Sequence, residues 1–112
     1  MMTTDRDVTT SGLPEEVLEG VIGIANAVAE DWEAERFLIG NTRDLEEARL
    51  ALQTDRIIAL YETDNPENAI ALEEALVLVY RHHPKYAGDL DGHNPDASNG
   101  VTNFVYVALW YT

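Results

Sequence analysis

The sequence predicts an α+β domain in the order helix–strand–helix–strand–helix–strand, built on a small three-stranded sheet. Two observations carry that expectation. Three stretches place apolar residues at three- and four-residue spacing, the pattern of helices that bury one stripe. Three short runs, FLI, RIIALYE and NFVYVALWY, are apolar on both faces, so the strands they form need cover on both sides. Length bounds the answer: 112 residues make one domain with a modest core, and no repeat or linker divides it.

Taken in order, residues 1–12 (MMTTDRDVTTSG) are polar and β-branched without periodicity, which predicts a disordered tail ahead of a single domain over 13–112. Pro14 suits a first helical position, and Glu15 and Glu16 suit the positive first turn. Leu18, Val21, Ile22, Ala25, Val28, Ala29 and Trp32 then recur at helical spacing, predicting a helix over 15–34. Phe37–Ile39 is the first strand, ended by Gly40 and Asn41. Thr42 or Asp44 caps the next helix, whose inward stripe is Leu45, Ala48 and Leu52 with Arg49 at its edge. Arg56–Glu62 is the second strand. Asn65 caps a third helix that begins at Pro66 and runs to His83, before Pro84. A polar loop over 85–100 leads to the terminal strand, which pairs with the strand 36–40 or the strand 56–62.

Composition excludes several kinds of chemistry. There is no cysteine, hence no disulfide, thiolate metal site or thiol nucleophile. No apolar run approaches the ~20 residues that span a bilayer. The start of the chain lacks a basic segment followed by an apolar one, so a cytoplasmic protein is expected. The net charge is −14, from 21 acidic and 7 basic side chains, and Lys85 is the only lysine. Nucleic-acid binding relies on cations that displace counterions from phosphates, so this field disfavours nucleic acid as a partner. A salt-adapted proteome and a DNA-mimicking inhibitor of a nucleic-acid enzyme both account for such acidity. The acids are spread along the chain, which favours salt adaptation.

The stretch FLIGNTRDLEEAR, a strand ending in an apolar-Ile-Gly triplet followed by a helix, resembles the second motif block of the GIY-YIG nuclease superfamily. At the right distance, YETDNPENAIALEEALVLVYRHHPKY is similar to that family's strand, NP-type turn and helix. The resemblance covers about residues 36–86. It implies a three-stranded, mainly antiparallel sheet flanked by helices, and Mg²⁺-dependent DNA cleavage in active members. Carried over position by position, it makes Glu73 the metal ligand. The tyrosine of the Tyr-Ile-Gly block falls on Leu38, and the helical arginine falls on Ala48 with Arg49 one place late. The Gly-Ile-Tyr strand is missing ahead of residue 36. A permuted arrangement lets the terminal strand supply Tyr106.

The helical phase of residues 66–83 independently sets Glu73 beside Ala69, Leu76 and Tyr80, away from the Glu67–Glu74–Arg81 solvent stripe. A carboxylate there loses hydration and needs a cation or a donor, Arg49 among the candidates. Asp89, Asp91, Asn94 and Asp96 form an oxygen-rich loop without full calcium-loop spacing. His82, His83 and His93 suggest zinc only through their proximity in sequence. The stripe of the helix 15–34 is nearly heptad, so a protein partner or a second copy of the chain could pair there, although covering the sheet uses it equally well. Together these features predict a non-catalytic interaction module on a degenerate GIY-YIG-like fold, with no cofactor. The alternative is an endonuclease in which Glu73 holds Mg²⁺, Arg49 the phosphate and Tyr106 assists proton transfer.

Overall fold

A computed structural model describes residues 3–6, 8–30, 34–87 and 102–111. The elements are β1 (Thr3–Asp5), α1 (Pro14–Ala29), β2 (Ala34–Thr42), α2 (Leu45–Leu52), β3 (Arg56–Thr63), α3 (Pro66–Tyr80) and β4 (Asn103–Tyr111). The α+β class and the alternation of helices and strands are as the sequence predicts. The sheet is not three-stranded. It has four strands in the order β1-β3-β4-β2, and it is mixed, because β1 runs parallel to β3 while β4 is antiparallel to both β2 and β3.

The additional strand comes from the segment expected to be disordered. Thr3, Thr4 and Asp5 pair with Arg56, Ile57 and Ile58. Long-range bonds hold this start of the chain in place. Thr3 N–H donates to the Asp55 carbonyl at 3.0 Å, and Thr10 N–H donates to the Leu60 carbonyl at 3.0 Å. Arg56 pairs with Asp5 at 2.7 Å, and the Tyr61 hydroxyl donates to the Gly12 carbonyl. Three residues are too few to display an alternation, and every partner is remote in sequence, so no local pattern announces the strand.

The terminal strand is the centre of the sheet and pairs on both sides, with Leu38 opposite Ala108 on β2 and Ile57 opposite Ala108 on β3. Its double-sided apolarity is thereby explained. On one face Phe37, Ile39, Ile58, Leu60, Val105, Val107 and Leu109 pack with α1 and α3. On the other, Leu38, Ile57, Ala59, Phe104, Tyr106 and Ala108 pack with Leu45 and Ala48 of α2. The sheet is the middle of three layers.

Helix α1 ends earlier than its spacing predicts. Ala34, expected as the last helical residue, is buried at the start of β2, and Trp32 lies outside the described residues. Likewise α3 stops at Tyr80, and His83 accepts the Lys85 N–H on Nδ1 in the turn that follows. Asn65 caps α3 as the sequence reading has it, and of the two candidates for α2, Thr42 and Asp44, Asp44 is the cap. Asp44 accepts from the Glu47 N–H, and Asn65 from the N–H groups of Glu67 and Asn68. The Tyr80 hydroxyl donates to Ile22 and Asn26, tying α3 to α1.

Candidate functional site

Two polar groups bury themselves at the β2 edge of the sheet. β2 presents Phe37, Ile39 and Asn41 to the α3 face and Leu38, Gly40 and Thr42 to the opposite face, by the alternation of an extended strand. Asn41, 3% exposed, donates its amide to the Glu73 carboxylate on α3. The helical phase thus places Glu73 inward, as read from the sequence. Its neighbours Leu72 and Leu76 are fully buried. Burial pushes the Glu73 carboxyl above its ordinary value of 4.5, the Asn41 amide draws it back, and the charge of Glu74 pushes it up again.

From the other face, Tyr106 of β4 lies across Gly40, its partner in the β-ladder. A Cβ on residue 40 would meet Tyr106 Cζ at 2.6 Å, so the ring occupies the space that a side chain would need. Its hydroxyl is buried and has no hydrogen-bond partner among the described residues. Burial, then the nearby Glu73 carboxylate, then Tyr86 raise the Tyr106 phenol far above its usual range. Glu73 and Tyr106, set on different elements and different faces, therefore lie near enough at one corner for the carboxylate to act on the phenol through its charge, without a hydrogen bond between them.

Arg49 does not join them. Its guanidinium pairs with Glu46 at 2.8 Å on α2, and the Thr4 hydroxyl of β1 donates to the same carboxylate. Arg49 therefore belongs to the β1 side of the molecule and Glu73 to the β2 side. Three strand spacings, about 14 Å, lie between these edges, and the sheet itself lies between the two helices. Glu73 has neither Arg49 nor any other ion-pair partner among the described residues.

A magnesium ion takes one or two carboxylates and keeps several waters. This corner offers the carboxylate of Glu73, and Asn41 already donates to its Oε2. Among the described residues no three His, Cys, Asp or Glu side chains converge as a metal site. His82 is exposed, and His83 stacks edge-on to Phe37 with centroids 5.1 Å apart. Asp89, Asp91, Asn94, Asp96 and His93 lie outside the described residues.

Sequence reading missed Asn41 and Gly40 as parts of the corner. Both read locally as strand-ending residues, and only the pairing of β2 with β4 shows that one donates to Glu73 and the other makes room for Tyr106. No family model matches the chain, and no curated protein or solved structure matches it either.

Proposed function

We propose that the chain is a non-catalytic interaction module on a degenerate GIY-YIG-like fold. One observation carries this reading: Arg49 and Glu73, which would have to converge on one phosphate in a nuclease, sit on opposite faces and near opposite edges of the sheet. A phosphate clamp acts through direct contact, so an arginine committed to Glu46 beyond the sheet contributes nothing at Glu73. The near-heptad stripe of α1 faces the core through Val21 and Ala25, which leaves it little to offer a partner helix. The outer side of α3 exposes Ile70 and Leu78 on either side of Glu74, with Glu67 at its start. Apolar anchors within an acidic surround suit a protein partner with a basic rim.

The nuclease alternative draws on the proximity of Glu73 to Tyr106, with Glu73 as the residue that would hold a magnesium ion able to activate a water. The test is a cleavage assay of the purified protein on linear, supercoiled and branched DNA with Mg²⁺, from dilute to molar salt. No cutting is the expected outcome. Reproducible cleavage that disappears in Glu73→Gln would overturn the reading. Capture of a host partner at high salt, lost on Leu78→Asp, supports it.

A further inference from the structure

Helix α3 buries Ala69, Leu72, Leu76 and Tyr80 on one side and leaves the opposite side bare. At about 100° per residue that far side is centred on Glu74, which is exposed. Ile70 and Leu78 stand one turn before and one turn after it, 42% and 63% exposed. Glu67 and Arg81 stand two turns away in either direction, both exposed. Arg81 keeps the helical phase, because its N–H still donates to the Val77 carbonyl. Among the described residues neither Glu67 nor Arg81 has an ion-pair partner. The face is thus acidic at one end, basic at the other and apolar between, with Glu74 at its midpoint.

We propose that this face binds a second copy of the chain, with the two α3 helices antiparallel across a two-fold axis at Glu74. The inference rests on the reading of the outer side of α3 as an interaction surface, and it names the partner. Reversal makes the face complementary to itself, and a two-fold axis repeats each pairing twice. Glu67 of one copy meets Arg81 of the second at both ends, so the partner supplies the cation that an acidic surface lacks. Ile70 falls beside Val77 of the second copy, and Leu78 beside Ala71, whose small side chain admits it. A parallel pair would set Glu67 against Glu67 and Arg81 against Arg81, so charge selects the antiparallel register. The unfavourable contact is Glu74 against Glu74 at the axis, added to the repulsion between two chains of net charge −14. Molar salt shortens the screening length to ~3 Å and removes most of both. Association therefore strengthens with salt, the reverse of a contact held by its ion pairs alone.

The experiment is sedimentation equilibrium of the full chain up to about 1 mM, from dilute buffer to molar KCl. The expected result is a monomer in dilute buffer and a reversible monomer–dimer equilibrium in molar KCl. Its dissociation constant should be on the order of 100 μM, because one helix pair is a small interface. Leu78→Asp, at an exposed position, should weaken the dimer at least about tenfold with the fold intact. At the lowest salt that supports the dimer, Arg81→Glu should weaken it and the added Glu67→Arg should restore it. The chain has no cysteine, so Glu74→Cys places a unique thiol on the axis. Diamide in molar KCl should oxidise that variant to a disulfide-linked pair, and should link Leu50→Cys, equally exposed on α2, far more slowly. A chain that stays monomeric at the highest concentration in molar KCl would overturn the dimer. If such a monomer still captures a host partner that Leu78→Asp loses, the interaction reading stands without the dimer. A dimer that Leu78→Asp leaves intact, or equal linking at positions 50 and 74, would overturn the proposal as well.

Discussion

Glu73 and Gly40 show how single residues set the properties of the β2 corner. The Glu73 carboxyl is held above its ordinary value chiefly by burial, so its charged form is penalised more in the folded chain than in the unfolded one. The sign follows from linkage. Below 4.5 the group is protonated in both states and contributes no difference. As pH rises through the folded-state value, the unfolded chain releases its proton first and folding loses stability. Glu73→Gln keeps the shape and the acceptor for Asn41 while removing the charge. It should therefore be more stable than the parent in urea unfolding at pH 7, with the gap closing toward pH 4. A variant less stable at pH 7 would show that the carboxylate charge has a favourable partner. Gly40 makes the opposite prediction. An alanine methyl there must displace a buried ring, so Gly40→Ala should lose about 1–3 kcal/mol in the same assay. Tyr106→Phe removes an unpartnered hydroxyl and should instead gain roughly 1 kcal/mol.

At the scale of elements, caps and sheet pairings hold the helices and strands by different means. Asn65 satisfies two free N–H groups at the start of α3, at 2.9 and 3.4 Å. Its replacement by alanine should lower the unfolding free energy by about 1 kcal/mol. The buried amides of β4, which open only with the whole fold, should lose hydrogen-exchange protection by the same amount. The short strand β1 has no core of its own and depends on β3, on Asp55 and on the Arg56–Asp5 pair. It therefore belongs to the part of the molecule that opens most readily.

For the whole molecule the dominant quantity is charge. Fourteen net negative charges on a chain with a 12.6 Å radius of gyration repel one another across distances comparable to the ~10 Å screening length at 0.1 M salt. The melting temperature should rise steeply from dilute buffer to molar KCl. A melting temperature that is flat or falls with salt would argue against salt adaptation and in favour of carboxylates placed for a basic partner.

Helix identity, the Asp44 and Asn65 caps, the double-sided strands and the inward phase of Glu73 were legible in the sequence. Each is decided within a few residues by hydrogen bonds to adjacent N–H groups or by side-chain periodicity. Whether Glu73 would meet Arg49 was not legible, because helical phase says which way a side chain points and not which strand lies beneath it. Only the tertiary structure decided that β1 joins the sheet, that Tyr106 fills the space over Gly40, and that Arg56 of β3 pairs with Asp5 of β1. Those outcomes depend on strand order and register. Strand order and register are set by pairings between residues far apart in the chain, where local propensity carries no information.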